Sequence, residues 1–258
     1  GIYMIVILSP TKKLERKQIN YDIEMTKPRY IVEAKRLNYR LKEFNPDELS
    51  SLMKISEKLT DKTFLDIHKW STNNIDLLFP CALSFNGEAF RGLDISSYSK
   101  EDLDYANKHL RILSGLYGVL RPLDLICNYR LEMGTKLSVD DFRDLYSFWG
   151  EKIKDALLDD VKDSESDILV NLASNEYSKS ARLRYMKGIT IITPVFKEFK
   201  NGRYKVITVH AKRARGLMAT YIMKNRINNL EDLKKFDEEG YIYREDLSNK
   251  YEMVFTLN

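Results

Sequence analysis

The chain has 258 residues, 43% of them hydrophobic and 31% charged, with 42 Lys and Arg against 38 Asp and Glu for a formal net charge of +4. That balance excludes a disordered chain; 11 Gly and 6 Pro exclude a collagen-like one, and two Cys exclude a disulfide scaffold. No apolar run approaches the roughly 20 residues of a membrane helix, and the Met4–Leu8 stretch is too short for a signal peptide. The expectation is a cytoplasmic protein with no membrane partner. Met4 reads as a natural start, so one domain is expected over 4–258, with residues 1–3 processed or foreign.

In chain order, Met4–Ser9 is a β-branched apolar run that stops at Pro10 and predicts a buried strand. Thr26 and Pro28 open a helical stretch with apolar positions at Ile31, Leu37, Leu41 and Phe44. Asn45-Pro46-Asp47-Glu48 is a helix start with an Asn cap and a Glu three residues on. Ser56 begins a helix towards Trp70, and Ser99 caps another that includes Leu103, Ala106 and Leu110. From Arg111 to Gly134 the glycines 115, 118 and 134 and Pro122 punctuate short apolar pieces, which predicts strands and turns. A charged helix over Gly150–Val161 precedes a second buried strand, Ile168–Ala173. Ile189–Phe199 and Arg203–Ala211 flank Asn201-Gly202, the dipeptide most typical of a tight hairpin turn. Lys212–Arg226 is helical, and Tyr251–Thr256 is a last strand. Strands scattered among helices from end to end predict one α/β domain, with a mixed sheet flanked by helices.

The total charge hides a polarised chain. Between Lys187 and Arg226 stand ten basic residues and one acidic, Glu198; between Glu151 and Asp167 stand seven acidic and three basic. A basic hairpin running into a basic helix start suits phosphate groups, and Phe196, Phe199 and Tyr204 could add stacking. The bland alternative is a solvated hairpin face. His210-Ala211-Lys212-Arg213-Ala214-Arg215-Gly216 tilts the balance, since it falls at an expected strand-to-helix junction where free backbone N–H groups favour anions.

Other motifs are weighed against structural explanations. Lys12, just beyond the first strand, can hold a phosphate or carboxylate, or be a surface lysine. Ser174-Asn175-Glu176 follows the second strand; Glu176 can act as a base, while Ser174 as a helix cap explains part of the pattern. Ser114–Pro122 is mostly apolar and reads as packed turns. No phosphate loop or dinucleotide fingerprint occurs. His68, His109 and His210 lack ligand spacing, and Cys81 and Cys127 have no CxxC pattern, so neither a cofactor nor a metal is expected.

Several segments together resemble one family: MIVILSPTKKL at 4–14, LSFNGEAFRGL at 83–93, RILSGLYGVLRPLDL at 111–125, YRLEMGTKL at 129–137, LYSFWGEKI at 145–153, NLASNEYS at 171–178, PVFKE at 194–198 and VHAKRARGLMATYI at 209–222. They look like the peroxide stress resistance proteins of the YaaA type. The resemblance implies a bacterial protein that limits iron-driven damage by hydrogen peroxide. It also implies a mixed α/β fold with a positively charged cleft, and DNA binding through a helix-hairpin-helix-like element. Its polar signature maps onto Ser9, Lys12, Gly87, Gly92, Gly115, Gly118, Arg121, Glu132, Gly134, Asn171, Asn175, Glu176, Lys197, Lys212, Arg215 and Gly216. Thr220 stands where the family often has a basic residue, which predicts one missing cleft contact.

Two readings follow. In the first, DNA binds a basic cleft through Lys12, Arg121, Lys197, His210, Lys212, Arg213 and Arg215. In the second, the same cleft belongs to an enzyme acting on a small anionic molecule, with Lys12, Asn175 and Glu176 as catalytic candidates. Iron held by Glu132 and Glu176 is a third and weaker reading, since no ligand cluster is visible.

Overall fold

The computed structural model describes residues 3–17 and 22–258; Gly1 and Ile2, set apart above, lie outside the described residues. The first strand, β1 (Ile5–Leu8), is followed by a short β2 (Lys13–Leu14) and three helices, α1 (Ile31–Leu41), α2 (Pro46–Met53) and α3 (Glu57–Lys69). Next come β3 (Phe79–Pro80), α4 (Cys81–Ser84), β4 (Phe85–Asn86), α5 (Glu88–Leu93) and α6 (Lys100–His109). The glycine-punctuated middle forms β5 (Leu110–Ser114), β6 (Gly118–Leu120) and β7 (Leu125–Ile126). After α7 (Leu145–Trp149) and α8 (Lys152–Asp163) the chain enters β8 (Ile168–Leu172) and α9 (Asn175–Ser178). The rest is β9 (Thr190–Lys200), β10 (Arg203–Lys205), α10 (Thr208–Asn225), α11 (Leu230–Leu233), β11 (Ile242–Tyr243) and β12 (Glu252–Leu257).

The main sheet runs β11-β12-β9-β8-β1-β5-β6, with β10 added beside the end of β9. The five central strands are mutually parallel, and the outer pairs β5–β6, β11–β12 and β9–β10 are antiparallel. This is the expected mixed sheet flanked by helices. β1 and β5 are buried at every position, the signature of strands covered on both faces. α8 lies against β1 and β6, and α10 against β1, β8 and β9.

The cap signals hold in detail. Asn45 and Glu48 form a reciprocal capping box, as do Ser99 and Asp102, and Ser56 caps α3. Each such cap is worth about 1 kcal/mol and fixes where its helix begins. Two boundaries move. α1 starts at Ile31 rather than near Thr26, because Thr26 is taken by another partner: its N–H donates to Leu123 O (3.1 Å) and its hydroxyl to Asp124 Oδ1 (2.6 Å). The expected strand 203–211 ends at Lys205, and helix begins at Thr208. Ala211, Ala214, Met218, Ala219 and Ile222 then lie buried at helical spacing, which a strand could not achieve. The hairpin turn itself is as read, with Asn201 and Gly202 both at positive φ.

Two close-packing features set the frame. At one, α5 and α10 cross where two glycines face each other's backbone. A Cβ on Gly216 would fall 1.8 Å from Ala89 O, and one on Gly92 would fall 2.1 Å from Arg213 O. At the other, Arg111 is buried at the start of β5. Its Nε donates to Asp160 Oδ2 (2.8 Å), and its other nitrogens donate to the carbonyls of Asn107, Lys108 and Leu110. Arg29 holds the second Asp160 oxygen at 2.7 Å.

Candidate functional site

The register Leu8↔Leu172 between parallel β1 and β8 sends the two following loops off the same edge of the sheet. From β1 the chain next enters the sheet at β5, on one side; from β8 it goes to β9, on the other. The order therefore reverses between β1 and β8. At such a switch point no connection covers the carboxyl ends of the strands, and a crevice is left.

That crevice holds a cavity of about 430 Å³. Its walls come from four stretches far apart in sequence: Ser9–Lys13 after β1, Asn86–Ala89 at the start of α5, Leu172, Ser174, Glu176 and Tyr177 at and beyond the end of β8, and Lys212 with Arg215 on α10. Glu132 completes it. The loops are tied together across 165 residues: the Ser174 N–H donates to Ser9 Oγ (2.7 Å), and the Ser9 hydroxyl donates to Ser174 Oγ (3.1 Å). Thr11 and Gly87 meet closely; a Cβ on Gly87 would lie 2.6 Å from Thr11 Cγ2. The paired glycines 92 and 216 bring α10 down on α5, which sets Lys212 and Arg215 above Asn86–Ala89.

Seven charged side chains line the cavity. Lys12 Nζ pairs with Glu132 Oε1 at 3.2 Å, and Glu88 is bound by Arg91 at 2.7 Å. Glu176 Oε2 accepts the Gly134 N–H at 2.8 Å, and its backbone oxygen accepts the Tyr146 hydroxyl at 2.7 Å. A Cβ on Gly134 would come within 3.2 Å of Glu176 Oε2, so the glycine admits the carboxylate. Glu132 and Glu176 also line a second cavity of about 890 Å³ bordered by α2, so the two carboxylates stand between the two spaces. Arg215 is half-buried and, among the described residues, has no hydrogen-bond or ion-pair partner. Burial alone pulls its pKa down, with no carboxylate opposing it.

Of the residues singled out in the sequence, Lys12, Glu176, Lys212 and Arg215 meet in this cavity. Asn175 faces a separate groove with Tyr146, Lys179 and Arg182. Arg121 lies elsewhere, bound to Asp124 (3.1 Å) and to Lys27 O (2.7 Å). Arg213 turns to the opposite side of α10 and is gripped by Glu239. His210 sits within the first turns of α10, its Nδ1–H donating to Glu198 Oε1 at 2.5 Å. Lys197 is on β9 outside the cavity. Thr220 also lies elsewhere: its hydroxyl bonds Leu93 O and the Tyr98 hydroxyl, beside Arg213 and Lys224. Asn86, Glu88 and Lys13 also line the cavity; they stand in the family-like segments 83–93 and 4–14 but are not among the candidate site residues. β2 pairs with β4 across more than seventy residues, Lys13 opposite Asn86, and that pairing helps to bring the two segments together.

Both cysteines are buried and free, and burial pushes their thiols up, away from the reactive thiolate. Among the described residues no group of three His, Cys, Asp or Glu side chains is arranged to hold a metal ion, and no helix is long and apolar enough to cross a membrane.

Fold and site thus define an α/β domain with a polar cleft at the carboxyl edge of a doubly directed parallel sheet. A family described as peroxide stress protein YaaA matches residues 4–247. The chain belongs to that family. It is 50% identical over 258 residues to a UPF0246 protein of Clostridium botulinum (strain Alaska E43 / Type E3), covering 98% of this chain and 99% of the relative. It is 52% identical over 253 residues to a UPF0246 protein of Clostridium perfringens (strain SM101 / Type A), with the same coverage. A UPF0246 protein of Saccharophagus degradans is 46% identical over 254 residues, again covering 98% and 99%.

Proposed function

We propose that the protein acts in the bacterial cytoplasm by binding DNA along the basic hairpin and the start of α10, and so limits iron-driven oxidative damage under peroxide stress. The family supports the stress context. One observation carries the binding reading: Lys197, Arg203, Lys205 and Lys212 follow one another closely along the hairpin and the start of α10, and none has a carboxylate partner among the described residues. Cations left free along one stretch are available to replace the counterions of a phosphate backbone. Lys200 and Arg203 are exposed at the hairpin end, and Phe199 beside them is 52% exposed, a platform for an unstacked base. Arg121 and Arg213 are left out of this surface because their guanidiniums are committed to Asp124 and Glu239.

The test is an anisotropy titration with duplex and junction DNA over a range of KCl. Wild type should bind with a steep salt dependence. The double variant Arg203→Glu/Lys205→Glu should bind at least about tenfold more weakly, with a log–log salt slope shallower by roughly 2. Unchanged affinity and slope in that variant would rule out the hairpin as the DNA surface.

A further inference from the structure

We propose that the cavity between β1 and β8 is a site for a small ligand carrying a phosphomonoester headgroup, with Arg215 as its principal anchor. The inference does not depend on DNA binding by the hairpin. It rests on three independent observations. The first is topological: the cavity lies at the reversal of strand order, where backbone connections leave a ligand-sized opening. Its volume of about 430 Å³ falls in the range of small-molecule pockets.

The second is charge. Lys12 is neutralised by Glu132, and Glu88 by Arg91. What remains on the walls is Lys13, Lys212 and Arg215 against Glu176 alone, a surplus of two positive charges. A phosphomonoester near neutral pH carries close to two negative charges. Arg215 is the part a purely structural account does not explain. A guanidinium drawn out of water normally finds a carboxylate or several carbonyls, because leaving its donors empty is costly. Here the side chain lines a cavity and has no acceptor of its own among the described residues, and a phosphate oxygen pair is the group a guanidinium fork fits.

The third is a directed hydroxyl. Ser174 N–H donates to Ser9 Oγ, and Ser9 donates its proton to Ser174 Oγ. That chain leaves the Ser174 hydroxyl proton as the free end, on the cavity wall. A phosphate oxygen can accept it while Arg215 and Lys212 hold the others. The headgroup can belong to a free nucleotide-sized metabolite or to the 5′ end of a DNA strand; the chemistry at Arg215 is the same.

The experiment uses inorganic phosphate as the probe, with calorimetry and thermal melting of the full chain. Wild type should bind phosphate saturably and melt higher with it. Arg215→Met, which keeps most of the side-chain volume, should lose at least about tenfold in affinity. Arg215→Lys should lose less, and Ser174→Ala should lose a few-fold. Without phosphate, Arg215→Met should melt at or above wild type, since it removes an unpaired charge. Equal phosphate binding by wild type and Arg215→Met, or no binding at millimolar phosphate, would overturn the proposal. So would a phosphate-free Arg215→Met that melts well below wild type, because the arginine would then be serving the fold. Adenosine 5′-monophosphate and a 5′-phosphorylated oligonucleotide should both displace phosphate, and whichever does so at lower concentration names the source. The Arg203→Glu/Lys205→Glu variant should bind phosphate as wild type does, so failure of the DNA reading and failure of this one are told apart.

Discussion

Arg111, buried, and Arg215, half-buried, stand beside the same sheet, and they are treated in opposite ways. Every nitrogen of the Arg111 guanidinium has an acceptor: Asp160 and three carbonyls at the end of α6 and start of β5. Burial pulls its pKa down, and Asp160 pushes it back up. Arg215 has the burial without the compensation. The first is a closed network that ties α8 and Arg29 to β5. The second is an open valence at the mouth of a cavity. A buried charge reads as structural or functional according to whether its hydrogen-bonding capacity is filled from within.

The largest way to break this contrast is to open the closed network. Asp160→Ala leaves Arg111 buried and unpaired, which should cost about 3–5 kcal/mol. Urea unfolding checks it, and a loss under about 1 kcal/mol would mean that the Arg111 network is not closed through Asp160.

The next attacks the frame of the open site without touching a charge. Gly216→Ala places a Cβ against the Ala89 carbonyl and the Leu93 nitrogen, both backbone, so no rotamer change relieves the clash. A destabilisation of about 3 kcal/mol is expected, together with weaker phosphate binding as α10 lifts from α5. Unfolding and calorimetry on one sample report both; full stability would show that the crossing is loose.

The smallest sharpens the closed side by pH. His109, buried between Tyr3 and Tyr105, has its pKa pulled down to about 4, first by burial and then by the charge of Arg111. The unfolded chain takes up this proton near pH 6.5 and the folded chain only near pH 4. Stability from this group is therefore complete above about pH 6.5 and falls as the pH drops towards about 4, by on the order of 2 kcal/mol. His109→Phe should flatten that part of the stability curve, and an identical curve in the variant would remove His109 as its cause.

The sequence made the local features legible. Short-range chemistry marks the caps at Asn45, Ser56 and Ser99 and the Asn201-Gly202 turn, since each partner lies within three or four residues. The two buried strands could be read from their unbroken apolar runs. The end of β10 is not legible, because the period-2 and period-3.6 patterns of 203–211 overlap and only the burial of Ala211 on the inner face of α10 decides between them. The site was half legible. Lys12, Glu176, Lys212 and Arg215 stand at strand ends or in a basic run, which marks them. Asn86 reaches the cavity through a strand pairing with a segment more than seventy residues earlier, and Glu88 follows at the start of α5. Arg121 and Arg213 have the right chemistry for the cleft. What the local sequence does not show is their pairing, with Asp124 beside one and a glutamate 26 residues away from the other.

The position of β1 in the sheet has a kinetic consequence. It lies between β5 and β8, partners about 105 and 165 residues later in the chain. β9 in turn waits for β12, some sixty residues beyond it. Closing loops of that length has to precede any reward from parallel pairing, so folding should be slow for a chain so rich in helix. During synthesis, both hydrogen-bonding edges of β1 stay open until β5 is made, and the edge that β8 will cover stays open for some sixty residues more. A nascent chain in that state is exposed to aggregation until β8 arrives, and the cavity, built on the β1–β8 seam, is among the last features to exist.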